Sequence, residues 1–152
     1  MPQVAYLMIQ GMRSVLLFGS GSSHREWARF AAGKTGTSNE ARDNWFCGFT
    51  PNLVAIAWLG TDSPDGFLGP AGGNTLALPI WDAFMRAAIR HVPPPPFTVP
   101  EGITMAKVHP QYGYIDDNGV EMYFTNGKTP TQNYSALPMA SSAGGYRSLF
   151  YK

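Results

Sequence analysis

The sequence predicts an α+β fold, in which an antiparallel sheet is flanked by helices and followed by a proline-rich linker and a small β tail. Three strand-like segments between residues 27 and 60 are joined by short polar turns, and short turns favour antiparallel neighbours. Segments with the apolar spacing of helices lie on either side of them, at 2–18 and near 75–91. Four prolines at 93–96 then exclude a continuing helix.

Length and composition favour one globular domain and exclude several kinds of partner. The 152 residues suffice for a sizeable core, and a net charge of +1 provides no field that would attract nucleic acid or an anionic membrane. The one cysteine, Cys47, excludes an internal disulfide and is expected in the core. The three histidines lack ligand spacing, so we expect neither a metal nor another cofactor. We also expect neither a membrane span nor a signal peptide within the sequence.

The first helix is expected over residues 2–18, with Pro2 well suited to its first position. A Gly/Ser-rich turn at 19–23 ends it. Its apolar residues recur at helical spacing: Val4, Leu7, Met8, Met12, Val15 and Leu16. The short sheet that follows can cover this apolar face only in part.

The three strands are expected at about 27–37, 45–50 and 53–60. The third strand is apolar almost throughout, which predicts burial on both of its faces. Because Trp45, Trp58 and Trp81 lie on apolar faces, we expect them in the core rather than on a ligand platform.

A Gly/Pro-rich loop at 61–73 precedes the second helix. The apolar face of that helix is expected to comprise Trp81, Phe84, Met85, Ala88 and Ile89. Pro79 is compatible with a helix only near the first turn, which places the start of the helix close to it.

The proline run divides the chain into four parts. Residues 1–91 form the sheet-and-helix part, 92–100 the linker, 101–131 a small β-hairpin tail, and 132–152 a segment expected to be disordered. The hairpin is expected to pair 114–115 with 120–123 around Asp117-Asn118-Gly119.

The segment Lys34-Thr35-Gly36-Thr37 is the main candidate for binding. Lys34 offers a point charge, and the hydroxyls of Thr35 and Thr37 can donate hydrogen bonds. Gly36 has no Cβ, so a ligand can lie close to the backbone. These groups suit an anionic end group such as a carboxylate.

Two motifs compete for this segment. Gly33-Lys34-Thr35 fits the end of a phosphate-binding loop, but Ala28 stands where that motif needs glycine, and the following residues break a helix. Lys-Thr-Gly is also the third signature of the serine penicillin-binding enzymes. The tripeptide alone is unspecific, since Gly127-Lys128-Thr129 recurs in a setting without a strand pattern.

The flanking segments decide between them. Residues 32–39, 43–51, 57–62, 79–85 and 99–103 resemble, in this order, the end of the transpeptidase domain of class A (bifunctional) penicillin-binding proteins. The resemblance covers roughly residues 1–125. It implies part of a β-lactamase/transpeptidase-like fold on the extracytoplasmic side of the cell membrane. It further implies acyl transfer, in which a serine attacks the D-Ala-D-Ala end of a peptidoglycan stem peptide and is acylated by β-lactams.

The resemblance also implies a role for each residue of the segment. Lys34 would place positive charge beside the substrate carboxylate and a proton-relay serine, and Thr35 and Thr37 would hydrogen-bond that carboxylate. The backbone N–H of Thr37 would be one donor of the oxyanion hole. Lys34 and Thr37 are thus the expected catalytic residues, and Lys34, Thr35, Gly36 and Thr37 the expected substrate-binding residues.

The sequence departs from the family in its catalytic motifs. It contains neither Ser-x-x-Lys nor Ser-x-Asn, and the nearest match, Ser63-Pro64-Asp65, ends in the wrong residue. Three functions therefore stay open: a transpeptidase fragment that is inactive without its missing catalytic half, a non-catalytic module that binds stem peptides or a partner, and a domain in which Lys-Thr-Gly has no role.

Three expectations follow from the missing motifs. The isolated chain should form no covalent adduct with penicillin. It should be poorly folded or self-associating, because an aromatic sheet face lacks its helical partner. The DNA preceding the Met1 codon should encode Ser-x-x-Lys and then Ser-x-Asn, with a membrane anchor further upstream.

Overall fold

A computed structural model of the chain describes residues 1–39, 42–62 and 75–133. Its elements, in chain order, are α1 (Pro2–Leu17), a 3₁₀ helix (Ser22–Arg29), β1 (Ala32–Thr37), β2 (Asp43–Thr50), β3 (Leu53–Gly60), α2 (Ala77–Ala88), β4 (Ile103–Val108) and β5 (Val120–Thr125). The predicted α+β class is confirmed. The predicted loop at 61–73 and the predicted disordered tail lie almost entirely outside the described residues.

The strands β1, β2 and β3 form an antiparallel sheet in that order, as the short turns predicted. Because side chains alternate across a strand, each face of the sheet collects every second residue. On β2, Asn44, Phe46 and Gly48 are buried, whereas Trp45 and Cys47 are exposed. We call the buried side the inner face and the other side the outer face.

The core lies between the inner face, the 3₁₀ helix and α2. Trp81 packs edge-on against Phe46 and Trp27, with ring centroids 5.0 and 5.1 Å apart. The Trp81 Nε1–H donates to the carbonyl oxygen of Ala55 at 3.1 Å, so the polar atom of this buried ring is satisfied. Further fully buried apolar side chains complete the cluster: Leu16, Ala31, Leu78 and Met85.

The first strand begins later than predicted. Residues 27–29 belong to the 3₁₀ helix, and the N–H groups of Phe30 and Ala31 both donate to the Trp27 carbonyl, at 3.1 and 2.7 Å. This tight turn lets Trp27 enter the core, where it is 1% exposed. The residues just before Ala32 are therefore core-forming but not extended.

The prediction that β3 is buried on both faces is wrong. Val54, Ile56 and Trp58 are 71%, 61% and 48% exposed. Trp45 and Cys47 are exposed as well, so neither is a core residue. The reason is that the core cluster packs on the inner face, so these residues of the outer face are left exposed.

Both helices form close to their predicted positions. In α1 only Tyr6 and Leu16 are buried, and the apolar Val4 and Met8 are 52% and 60% exposed. In α2, which begins at Ala77, Pro79 occupies the third position, where its missing N–H costs no helical hydrogen bond. Phe84 is 54% exposed, contrary to its predicted place on the buried face.

The tail contains a hairpin in a different register from the prediction. β5 pairs with β4 rather than with 114–115, and Ile115 makes only isolated bridges, to Val108 and Asn133. Asp116 closes the turn before β5, since its Oδ1 accepts from Asn118 N–H at 2.9 Å and its carbonyl accepts from Gly119 N–H at 2.8 Å.

The chain divides into two compact units. One comprises Gly11–Thr98 and holds the three-stranded sheet with its core, and the other joins Met1–Gln10 to the described residues from Val99 onward. Within the second unit, Tyr6 packs edge-on against Tyr123 with ring centroids 5.4 Å apart. None of the helices in the described ranges combines the length and apolarity of a membrane span.

Candidate functional site

The segment Lys34-Thr35-Gly36-Thr37 lies in the second half of β1. In the sheet β1 pairs only with β2, with Lys34 opposite Cys47 and Thr37 opposite Asn44. Among the described residues the other side of β1 pairs with no strand of this sheet, and an edge of this kind can accept an added strand.

Lys34 is exposed and lies over its own strand. Its Nζ donates to the backbone carbonyl of Thr35 at 2.8 Å and approaches the Thr35 hydroxyl at 3.4 Å. The ammonium group is thus held close to the open edge of β1 by contacts that an incoming anion can replace.

The Thr35 hydroxyl has a second partner, besides Lys34, that the sequence did not indicate. Its Oγ1 lies 2.7 Å from Ser20 Oγ, and either atom can donate. Ser20 belongs to the Gly/Ser turn after α1, which was predicted only as a flexible connection. The serines of that turn were the only feature of the sequence that could have indicated this contact. Serines are common in turns, however, and nothing in the sequence distinguished Ser20 from its neighbours.

The two glycines of the segment have different surroundings. A Cβ at Gly33 would lie 2.6 Å from the Phe46 ring and 2.9 Å from the Cys47 carbonyl, so that position admits only glycine without repacking. A Cβ at Gly36 would lie 3.2 Å from Trp45 Cβ, a tight but adjustable contact. Gly33 therefore serves packing, and Gly36 is the glycine that a ligand could exploit.

Asn44 lies opposite Thr37 where β2 pairs with β1. Its side chain is fully buried, and neither its amide nitrogen nor its amide oxygen has a hydrogen-bond partner in the described part of the chain. Such a group is uncommon in folded proteins, because burial without a partner costs free energy.

A polar cluster outside the sheet fixes the 3₁₀ helix against α2. The Asp82 carboxylate accepts hydrogen bonds from Trp27 Nε1 and from Arg86 Nε. Arg86 Nε lies 2.9 Å from both carboxylate oxygens of Asp82. Arg86 also forms a salt bridge with Glu26. Burial alone would raise the pKa of Asp82, but the hydrogen bonds from Arg86 and Trp27 outweigh it and hold that pKa below its ordinary value. The hydrogen bond to Asp82 in turn raises the pKa of Arg86.

The described residues therefore bring the Lys34 ammonium and the Thr35 hydroxyl together on β1, with Thr37 two residues further along the same strand. This set suits a carboxylate or a similar anion. The same residues include no cluster of histidine, cysteine and acidic side chains that could hold a metal ion.

The chain is similar in sequence to known proteins. No protein-family profile matches the chain. It is 37% identical over 117 residues to penicillin-binding protein 1A of Rickettsia prowazekii (strain Madrid E), covering 76% of this chain and 15% of that protein. It is 36% identical over 120 residues to penicillin-binding protein 1A of Escherichia coli (strain K12), covering 68% of this chain and 14% of that protein.

A solved structure resembles the chain as well. The crystal structure of penicillin-binding protein 1A from Haemophilus influenzae superposes with a TM-score of 0.71 at 27% sequence identity. The match covers 87% of this chain and 21% of that chain. The present chain thus spans about one seventh of the length of the curated relatives it matches, since it covers 13–15% of each of them.

Proposed function

Since the chain is a relative of one part of penicillin-binding protein 1A, we propose that it forms the C-terminal portion of a D,D-transpeptidase domain and supplies the strand that binds the substrate carboxylate. In this proposal the whole enzyme cross-links peptidoglycan on the extracytoplasmic side of the membrane. Its substrates are D-Ala-D-Ala stem peptides, and β-lactams compete for the same site.

The observation that supports this proposal is the open edge of β1 with Lys34 exposed upon it. A peptide that lies along this edge can exchange backbone hydrogen bonds with β1. Its terminal carboxylate then meets the Lys34 ammonium and the hydroxyls of Thr35 and Thr37. The Thr37 N–H, in this proposal, donates to the oxygen that becomes negative during acyl transfer.

We propose further that the chain cannot catalyse alone. The sequence contains no Ser-x-x-Lys, and a serine without a nearby base is a weak nucleophile. Incubation of the isolated chain with a labelled penicillin, followed by intact-mass measurement, should give no adduct. A stoichiometric adduct on any serine would contradict this.

A complementation experiment tests the role of β1. The part of the Escherichia coli relative that carries Ser-x-x-Lys and Ser-x-Asn is produced separately and mixed with this chain. Penicillin acylation should increase upon mixing, and Lys34→Ala should abolish the increase because the carboxylate loses its charged partner.

Lys128→Ala is the matched control, since Lys128 is also exposed and also stands between glycine and threonine. It should leave acylation unchanged. Equal acylation with Lys34→Ala and the unaltered chain would refute the role given to β1.

The second candidate is a non-catalytic module that binds stem peptides, and the exposed anion-binding groups of β1 favour it. In this case the isolated chain itself should bind a D-Ala-D-Ala peptide, measured by NMR titration. Binding should be lost in Lys34→Ala and for a peptide whose terminal carboxylate is amidated. Acylation by complementation without any peptide binding by the isolated chain would favour the transpeptidase fragment instead.

A further inference from the structure

Two hydroxyl groups from different elements of the unit Gly11–Thr98 meet beside Lys34. Ser20 Oγ, in the turn after α1, lies 2.7 Å from Thr35 Oγ1 on β1, although 15 positions separate the two residues in the sequence. Lys34 Nζ lies 3.4 Å from the same oxygen of Thr35. The Thr35 hydroxyl therefore has a neutral partner in close contact and a charged partner slightly farther away.

The number of protons restricts the direction of the hydrogen bond between Ser20 and Thr35. A hydroxyl has one proton to donate and two lone pairs that accept, whereas an ammonium group only donates. If Thr35 gives its proton to a bound carboxylate, it has no proton left for Ser20. Anion binding at the Thr35 hydroxyl thus requires that Ser20 donates and that Thr35 Oγ1 accepts.

The contact with Ser20 can persist when an anion binds, unlike the contact with Lys34. The Lys34 ammonium is an exposed charge on a flexible side chain, so an incoming anion attracts it away from Thr35. Ser20 is neutral and short, and its contact then selects one of the staggered rotamers of Thr35. Donation by Ser20 also polarises the Thr35 O–H group, which strengthens the hydrogen bond that Thr35 donates.

The turn that carries Ser20 is fixed against the end of α1. The N–H groups of Gly19 and Gly21 both donate to the Val15 carbonyl, at 3.1 and 3.0 Å. A Cβ at Gly19 would lie 3.0 Å from the Val15 backbone, and one at Gly21 would lie 2.9 Å from the fully buried Leu16 side chain. Glycine on both sides of Ser20 lets the turn lie close to α1, so α1 sets the position of the Ser20 hydroxyl.

We propose that Ser20 is a positioning residue of the carboxylate site. Its hydroxyl donates to Thr35 Oγ1 and so directs the Thr35 proton at the terminal carboxylate of the substrate. This role rests on the function proposed for β1, and it adds to that strand a residue from a separate turn. The competing explanation is a serine that only shapes the turn, which predicts no dependence on Thr35 or on the carboxylate.

The first experiment repeats the complementation assay with variants of the full chain. Ser20→Ala should lower the second-order rate constant of penicillin acylation by about three- to tenfold, the loss expected for one hydrogen bond. Ser20→Thr keeps a hydroxyl and should restore most of the rate. Ser22→Ala, two residues further along, is the matched control and should leave the rate unchanged. Near-ultraviolet circular dichroism of the tryptophans establishes that each variant is folded.

The second experiment tests whether the loss depends on the carboxylate and on Thr35. With a penicillin methyl ester, the loss in Ser20→Ala should shrink to less than about twofold, because hydrogen bonds to a charged acceptor are the stronger kind. Thr35→Val keeps the shape of threonine without its hydroxyl, so adding Ser20→Ala should lower the residual rate no further. A turn that is merely misshapen would slow acylation in all of these cases.

The outcomes distinguish the role of Ser20 from the function on which it rests. No acylation in the mixture with the unaltered chain, or full acylation with Lys34→Ala, would refute the proposed function and the role of Ser20 together. Acylation that requires Lys34 but is equally fast with Ser20→Ala and the unaltered chain would overturn the role of Ser20 alone. An equal loss with the ester, in Thr35→Val or in Ser22→Ala would also overturn it, because Ser20 would then act only on the shape of the turn.

Discussion

At the scale of single residues, Asn44 is a polar side chain in unfavourable surroundings. It is fully buried, and both polar atoms of its amide lack a partner there. Its immediate neighbours in the register, Thr37 and Leu59, belong to β1 and β3. The position follows from alternation along β2, which places every second residue on the inner face.

Replacement of Asn44 by leucine should stabilise the chain. Leucine has the same number and branching of side-chain heavy atoms and no polar atoms, so the free energy of unfolding should rise by about 1–2 kcal/mol. Urea denaturation followed by tryptophan fluorescence measures the change. A loss of stability would contradict this account of the amide, and Asn118→Leu, at an exposed turn position, serves as the control.

Asp82 provides a residue-scale prediction with a pH dependence. Its pKa is lowered in the folded chain, so its carboxylate stabilises the fold above the unfolded pKa of about 3.9. That stabilisation is lost as the pH falls through the folded pKa.

Asp82→Asn should therefore lower the free energy of unfolding at pH 7 by about 1–2 kcal/mol, a figure that allows for the half-exposed Arg86. The difference from the unaltered chain should shrink below about pH 4. Asp117→Asn, on the exposed turn before β5, should have no such effect. Equal destabilisation at all pH values would show that charge at Asp82 is unimportant.

At the scale of elements, the fit between the sheet and α2 depends on a residue without a side chain. A Cβ at Gly48 would lie 2.6 Å from the Trp81 ring and 2.7 Å from the Phe46 ring. Neither ring can retreat easily, because both are fully buried and each packs against the other. Gly48 on β2 thus sets the depth to which Trp81 of α2 enters the core.

Gly48→Ala should destabilise the chain by about 1–3 kcal/mol through overpacking. Gly11→Ala is the matched substitution, since a Cβ at Gly11 meets nothing within 4 Å and the residue lies in α1. It should raise the midpoint of thermal unfolding, because alanine favours a helix by up to about 1 kcal/mol over glycine. Opposite signs for the two variants are the expected result in calorimetry, and equal signs would contradict the packing account.

At the scale of the whole molecule, the buried cluster lies entirely within the unit Gly11–Thr98. We propose that residues 1–91 are the transpeptidase portion, 92–100 a linker and 101–131 a β tail, whereas the compact units place Met1–Gln10 with the tail and 92–98 with the core. The start of the proline run is linked to the turn between β2 and β3, because Asn52 Nδ2 donates a hydrogen bond to the Pro93 carbonyl at 3.1 Å.

A chain that ends at Thr98 should keep its core. Its tryptophan circular dichroism should match that of the full chain, with an unfolding midpoint within several degrees, because every residue of the Trp81 cluster remains. A chain that ends at Leu76 loses α2 and should not fold. Loss of the tryptophan signal in the chain that ends at Thr98 would show that the tail is needed for the core.

The sequence by itself determined the elements and the candidate strand. Helical spacing placed α1 and α2, the turns around 51–52 placed β2 and β3, and the residue chemistry of Lys34-Thr35-Gly36-Thr37 made this segment the candidate for binding an anion. These features depend on local periodicity and on residue chemistry, which are readable along the chain.

Only the tertiary structure decided which apolar residues are covered. Trp27 and Trp81 are buried while Trp45 and Trp58 are half-exposed, although Trp45 and Trp58 lie in apolar segments and Trp27 directly follows the polar residues 22–26. The same holds for the Ser20–Thr35 hydroxyl contact and the pairing of β5 with β4, both of which join residues distant in the sequence. Burial and such pairings depend on which faces meet in space, and apolarity along a sequence does not specify that partner.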